Sequence, residues 1–135
     1  MIVFLFICIT LVYLFLIGSL ALGFDKVTDF YLEDISSNTV FSIIIPFRNE
    51  AKNLPSLIKS LKELHYSKAQ FEVIFVDDAS TDNSLEIVNT FISQTELNIR
   101  TIKNKRETNS PKKDAITSAI RLSKYEWIVT TDADC

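Results

Sequence analysis

The chain has 135 residues, 14 of them basic and 17 acidic, and its net charge of -3 gives no reason to expect nucleic-acid binding. Its length allows about one domain. Cys8 and Cys135 lie at opposite ends and the single histidine, His65, is close to neither in sequence, so neither a disulfide nor a zinc site is expected.

The first 24 residues contain no charged side chain. A helix of that length spans about 36 Å, whereas the hydrocarbon core of a bilayer is about 30 Å thick. A cleaved signal peptide is the alternative, but the segment lacks a basic start and its apolar run is long for a signal sequence. Residues 1–24 are therefore predicted to form a transmembrane helix, and the polar residues 25–39 a juxtamembrane linker.

From Val40 onward, apolar runs alternate with segments of helical periodicity. The pattern predicts strands at residues 40–45, 71–76, 98–103 and 127–131, and helices at 50–64, 84–94 and 111–123. Continuous apolar strands separated by helices are typical of a parallel sheet with helices on its faces, so the fold class is α/β and Rossmann-like. The last strand is expected to be buried.

In the third of these helices, four apolar side chains are expected to face inward: Ala115, Ile116, Ala119 and Ile120. Cys135 follows the last strand almost directly. Since a complete domain needs elements that cover the far side of that strand, we expect residues 40–135 to be an incomplete domain.

Polar clusters follow three of the predicted strands, where ligands bind in open parallel sheets. The last cluster holds Asp132 and Asp134, separated by Ala133. Alternate side chains at a strand end point the same way, so the two carboxylates can converge on Mg²⁺ or Mn²⁺. The alternative is an ordinary polar turn, in which Asp is common. The other two clusters are Pro46, Phe47, Arg48, Asn49 and Glu50, and then Asp77 and Asp78.

Each of these residues also has an ordinary structural explanation. Asp77 and Asp78 could cap the turn into the next helix, although a role in binding a base or ribose is favoured for Asp78. Asn49 could cap the first helix, with Asn53 as another candidate, while Asp82 is the predicted N-cap of the second.

Lys112 and Lys113 open the third helix, where basic residues are electrostatically unfavourable. They are either a solvated pair or the partners of an anion such as a diphosphate.

Both glycines, Gly18 and Gly23, lie in the predicted membrane segment. The remainder of the chain therefore cannot contain a G-x-G-x-x-G or a G-x-x-x-x-G-K-[ST] loop. This argues against a dinucleotide-binding Rossmann enzyme and against a P-loop NTPase. A bound nucleotide would have its phosphates held by a metal ion and basic side chains.

Four segments in order, F-S-I-I-I-P-F-R-N-E, F-E-V-I-F-V-D-D-A-S-T-D, K-K-D-A-I and W-I-V-T-T-D-A-D-C, resemble the family 2 glycosyltransferases of the GT-A fold. The resemblance implies transfer of a sugar from a nucleotide diphosphate sugar, with inversion. It implies that residues 46–50 line the nucleotide pocket, that Asp78 contacts the base, and that Asp77, Lys113 and Asp132 belong to the donor site. Asp132 and Asp134 would be the D-x-D pair that holds a divalent metal, Mg²⁺ or Mn²⁺.

The same resemblance implies that the catalytic base lies beyond Cys135, so that this chain holds the donor half. Ala79 and Ser110-Pro111 stand where the family often has glycine, which puts the local loop geometry in question.

By resemblance to membrane-bound members of the family, the catalytic part of this single-pass chain is expected to face the cytoplasm. The acceptor is expected to be a glycan or lipid. The alternatives are a sugar-phosphate nucleotidyltransferase, which would need a glycine-rich phosphate loop after the first strand, and a membrane-tethered, non-enzymatic binding module.

Overall fold

A computed structural model of the chain describes residues 1–29 and 38–134. Two compact units are distinguished, residues 1–36 and 37–135. The first contains helix α1 (Ile2–Phe24), which is long and apolar enough to cross a membrane, a property that a signal sequence shares. Most of the predicted linker, residues 30–37, lies outside the described residues.

The second unit is a four-stranded sheet with three helices, which confirms the predicted α/β class. All strand pairs are parallel, and the strand order is β3-β2-β1-β4. The elements are β1 (Phe41–Phe47), α2 (Leu54–Lys62), β2 (Phe71–Asp77), α3 (Ser84–Ser93), β3 (Ile99–Lys103), α4 (Pro111–Ile120) and β4 (Trp127–Thr130).

Alternate residues of the central strands fill two separate cores, one on each face of the sheet. On one face Ile45 and Phe75 pack with apolar side chains of α2 and α3, including Leu54 and Phe91. On the other face, Ile44 of β1 packs with Ile74 and Val76 of β2. Helix α4 contributes two small side chains to this core, Ala115 and Ala119. The alanines let α4 lie close to the sheet, which brings its first turn to the carboxyl ends of the strands.

Strand β1 extends two residues further than the sequence pattern predicts, through Pro46 to Phe47. Thr131 donates its backbone N–H to the carbonyl of Ile44. The backbone N–H and C=O groups of even-numbered β1 residues therefore point toward β4. Paired residues on β4 end at Thr130, before Pro46 is reached. The missing N–H of Pro46 therefore costs no bond in the sheet, and the strand can continue.

Two burial predictions are wrong. Strand β4 is not buried: it forms the edge of the described sheet, and Trp127 and Val129 are 68% and 46% exposed. Ile120 does not face inward and is 47% exposed, because it is the last residue of α4, beyond the part that Ala115 and Ala119 hold against the sheet. An apolar sequence run reveals strand propensity, but the number of neighbouring elements decides burial.

The strand order reverses direction at β1, since β2 and β3 lie on one side of it and β4 on the other. In open α/β sheets, ligands bind where the order reverses, at the carboxyl ends of the strands. The fold therefore points to the region after β1 and β4 as the place to look for a binding site.

Candidate donor-binding site

A cavity of about 420 Å³ opens at the carboxyl ends of β1, β2 and β4. Its lining comes from all three predicted polar clusters and from the start of α4: Pro46, Phe47, Arg48, Glu50, Asp78, Pro111, Lys112, Ala115, Asp132, Ala133 and Asp134. Segments that are up to about 90 residues apart in the chain thus meet at one point, as parallel topology requires of strand ends.

Asp78 is the most firmly held carboxylate in this cavity, and its side chain is only 12% exposed. Arg106 binds it with two charge-assisted bonds, Nε to Oδ1 at 2.8 Å and Nη2 to Oδ2 at 2.7 Å. Asn104 donates its Nδ2 to Oδ1 at 2.7 Å, and Nη1 of Arg48 lies 3.9 Å from Oδ2. We call these four residues the Asp78 cluster. The hydrogen bonds leave Oδ2 able to accept a further donor.

The hydrogen bond from Arg106 is the main cause of a pKa of Asp78 below its usual value; Asn104 and the charges of Arg106 and Arg48 act in the same direction, and burial opposes them. The carboxylate conversely raises the pKa of Arg106. Asp78 is therefore an anion and a hydrogen-bond acceptor at neutral pH, suited to a ligand that presents N–H or O–H groups.

The loop that carries Arg106 is fastened to α4 by Asp114, whose side chain is buried. Asp114 accepts the backbone N–H groups of Glu107 and Thr108 at 3.0 and 2.8 Å and the Thr108 hydroxyl at 2.8 Å. The backbone N–H of Thr108 is the largest cause of a lowered pKa of Asp114. These hydrogen bonds fix the shape of the loop, although Ser110-Pro111 occupies the position where glycine was expected from the family resemblance.

The loops after β1 and β2 are bonded to each other beside the cavity. Thr81 donates its backbone N–H to Oδ1 of Asn49 at 2.7 Å, and the backbone N–H of Glu50 donates to the hydroxyl of Ser84 at 2.8 Å. Asn49 and Ala79 have left-handed backbones, with φ of 56° and 58°. Each follows a cavity residue directly, so these turns set the directions in which Arg48 and Asp78 leave their strands.

Asp132 and Asp134, which we call the carboxylate pair, line the cavity on either side of Ala133. Ala133 is 3% exposed and packs into the core, which anchors the segment between them. Nζ of Lys112 lies 2.7 Å from Oδ1 and 2.8 Å from Oδ2 of Asp132. Lys112 therefore neutralises one member of the pair, although both side chains stay partly exposed.

Other predicted residues lie elsewhere. Asn49, Asp77 and Lys113 are outside the cavity lining. Oδ1 of Asp77 accepts the backbone N–H of Ser80 at 2.9 Å. Asp77 therefore caps the turn after β2, as in the structural explanation given for it above. Asn49 does not cap α2 but joins the two loops.

Two cap predictions are modified. The helix α3 begins at Ser84 with Asn83 at the N-cap position, so Asp82 stands one residue early, where it still accepts the N–H of Ser84. Asn53 occupies the N-cap position of α2, but its side chain donates to Glu50 instead of capping.

Sequence reasoning missed Arg106 and Asn104, and it took Lys113 as the basic donor-site residue where the cavity is lined by Lys112. The signal for Asn104 was present, because it directly follows a strand, as Asp78 does. Arg106 sits in a polar loop without periodicity, and only the folded chain brings it to Asp78.

The carboxylate oxygens of Asp132 and Asp134 suit a hard divalent cation whose remaining coordination positions are filled by a bound ligand. Among residues 1–29 and 38–134, no group of three or more His, Cys, Asp or Glu side chains could hold a metal ion. Two carboxylates facing one cavity match the way Mg²⁺ is bound by one or two protein carboxylates with substrate phosphates and water. The site therefore fits a metal that arrives with a phosphate-bearing ligand.

The sequence profile of glycosyl transferase family 2 matches residues 42–135, which is more than half of the chain. The chain belongs to glycosyl transferase family 2. Its matched region contains every residue of the cavity lining, the Asp78 cluster and the carboxylate pair.

Two named glycosyltransferases resemble this chain. The poly(ribitol-phosphate) beta-N-acetylglucosaminyltransferase TarS of Staphylococcus aureus is 32% identical over 94 residues, which cover 70% of this chain and 16% of TarS. A dolichyl-phosphate beta-glucosyltransferase of Dictyostelium discoideum is 34% identical over 107 residues, covering 72% of this chain and 31% of that enzyme. The chain thus spans less than a third of the length of either relative.

Solved structures agree with the GT-A assignment. A mannosyltransferase of Pyrobaculum calidifontis, in complex with GDP-Man and Mn²⁺, superimposes with a TM-score of 0.73 at 25% identity and covers 89% of this chain and 34% of its own. TarS in complex with UDP-GlcNAc gives 0.61 at 31% identity, over 71% of this chain and 27% of its own. The solved structures that this chain resembles thus include complexes with nucleotide sugars.

Proposed function

We propose that this family 2 chain is the donor-binding part of a membrane-anchored glycosyltransferase that moves a sugar from a nucleotide diphosphate sugar to a glycan or lipid acceptor, with inversion and with Mg²⁺ or Mn²⁺. The single observation that carries the proposal is the joint lining of one cavity by Asp78, Lys112 and the carboxylate pair. It offers an acceptor for a base at one end and charges for a metal diphosphate at the other.

The two ends have different tasks in this proposal. Asp78, kept ionised by Arg106, accepts an N–H of the base, while Pro46, Phe47, Arg48 and Glu50 border the nucleoside. Asp132 and Asp134 hold the cation, and Lys112 faces the diphosphate.

A bound divalent cation would neutralise the charge that develops on the departing diphosphate. Asp132 and Asp134 would keep it in register with the diphosphate by supplying fixed oxygen ligands. An inverting transfer also needs a carboxylate that deprotonates the acceptor hydroxyl. We assign no such base within residues 1–29 and 38–134, and we propose that it lies in the acceptor-binding part.

We also propose that α1 anchors the protein and that the sheet faces the cytoplasm. In a variant with Cys8 and Cys135 replaced by Ser, a cysteine introduced at the exposed residue Lys105 would then react with a membrane-permeant maleimide in intact cells and resist an impermeant one. Labelling by the impermeant reagent would contradict this orientation.

The test of the donor site is calorimetric titration of the intact protein in detergent micelles with UDP and GDP, with and without Mn²⁺. We expect one nucleotide to bind, more tightly with Mn²⁺, and the Asp132→Asn/Asp134→Asn variant to lose the metal-dependent part. Glu86→Gln, on the exposed side of α3, is the matched control and should bind as the parent does. If the folded parent, shown by cooperative thermal unfolding, binds neither nucleotide, the proposal fails and the tethered non-enzymatic module is favoured.

A further inference from the structure

The ion pair between Lys112 and Asp132 lies inside the cavity, and helix stability does not explain it. Lys112 is in the first turn of α4, where the helix dipole disfavours a cation. The two side chains are 61% and 45% exposed, and an ion pair so accessible to water contributes little to folding. The contact is nevertheless close to both carboxylate oxygens, at 2.7 and 2.8 Å.

A single ammonium group thus covers the ligand atoms that a metal ion at Asp132 would need. A cation that binds both oxygens of Asp132 has to displace Lys112, because both would occupy the same side of the carboxylate. Lys112 also lines the cavity that holds Asp78 and Asp134, so its displaced ammonium group remains beside any ligand in the cavity. The partner that would best accept it is an anion, and a diphosphate provides one.

We propose that Lys112 is a positioning residue that couples the binding of divalent cation and donor diphosphate by exchanging Asp132 for the diphosphate, an inference that rests on the proposed function. Without a nucleotide, Lys112 keeps the cation affinity of the carboxylate pair low. With a nucleotide, the diphosphate draws Lys112 away and frees Asp132.

The coupling is reciprocal, so whatever the nucleotide adds to cation affinity the cation adds to nucleotide affinity. Replacing Lys112 by Met retains the aliphatic stem and removes the competing charge. In Lys112→Met we expect Mn²⁺ alone to bind about three- to fivefold more tightly, the effect expected from a partly exposed ion pair. The factor by which the nucleotide enhances Mn²⁺ binding should fall by a similar amount.

The experiment measures free Mn²⁺ by electron paramagnetic resonance, in the intact protein, with and without whichever of UDP and GDP binds. Lys105→Met is the matched control, since it removes the same charge from an exposed lysine whose partner is Glu107, 3.6 Å away. The control should retain the parent's Mn²⁺ affinity and enhancement factor.

The inference is overturned if Lys112→Met binds Mn²⁺ alone no more tightly than the parent does, or if its enhancement factor is unchanged. A general charge effect would show as equal changes in Lys105→Met and Lys112→Met and would also overturn it. Failure of the proposed function is a different result, in which the parent itself binds neither nucleotide at any Mn²⁺ concentration.

Discussion

The two ends of the cavity hold their carboxylates in different ways. Asp78 is nearly buried and accepts three hydrogen bonds from Arg106 and Asn104, whereas Asp132 is about half-exposed and its close partner is Lys112. A charge that is fixed by several donors has its geometry set before a ligand arrives, while one held by a single lysine can change partners. We propose from this comparison a preorganised end at Asp78 and an exchangeable end at Asp132.

The largest effect is expected from Asp78→Asn, which removes the acceptor charge at the preorganised end. A hydrogen bond to a charged group contributes about 1.5–3 kcal/mol, so nucleotide affinity should fall about 10- to 100-fold. Since Asp78 is not in the carboxylate pair, the fall should be the same with and without Mn²⁺. Calorimetric titration checks this, and a loss confined to Mn²⁺-containing buffer would show that the two ends are not separate.

Arg106→Met should change how the stability of the fold depends on pH, because Arg106 binds Asp78 at the same end of the cavity. Because the folded-state pKa of Asp78 is lowered, its interaction stabilises the fold above the unfolded pKa of about 3.9 and is lost as pH falls through the folded value. The variant should therefore be less stable than the parent at pH 6, and the difference should shrink at pH 2.5.

Urea unfolding at both pH values measures this difference. Arg121→Met, which removes an exposed arginine 3.8 Å from Glu107, is the control. A parent-variant gap as wide at pH 2.5 as at pH 6 would argue against Arg106 as the cause of the low pKa.

Lys112→Met and Lys113→Met test which lysine faces the donor. Lys112 lines the cavity and Lys113 does not. With Mn²⁺ present, we expect nucleotide affinity to fall about fivefold in Lys112→Met and less than twofold in Lys113→Met, as for one partly exposed charge contact. A larger loss in Lys113→Met would favour the sequence-based assignment of Lys113 over the geometry of this cavity.

The smallest effect concerns the left-handed turns after Arg48 and Asp78. Ala79 lacks a side-chain bond that offsets its positive φ, and a left-handed backbone costs a non-glycine residue about 1 kcal/mol. Ala79→Gly should raise the free energy of unfolding by about that amount. Asn49→Gly should lower it, because Asn49 accepts the N–H of Thr81. Thermal unfolding of both variants checks the contrast, and a shift in the same direction for both would contradict it.

The sequence by itself determined the α/β class, because apolar runs and helical periodicity are local properties, and it determined that Asp78, Asp132 and Asp134 follow strands. Parallel topology then implied that residues 46–50, which follow the first strand, lie at the same edge of the sheet as these carboxylates. Family membership could also be predicted from four short segments of the sequence. The roles of the predicted residues in donor and metal binding stay predictions.

Only the tertiary structure decided which polar residues meet. Arg106 reaches Asp78 from a loop 28 positions away, and Lys112 instead of Lys113 turns to Asp132 because successive residues on a helix point in different directions. The exposure of β4 likewise could not be predicted from its apolar sequence, since burial depends on the elements packed around a strand. Sequence patterns encode local conformation, whereas partners and burial arise from contacts between segments that are distant along the chain.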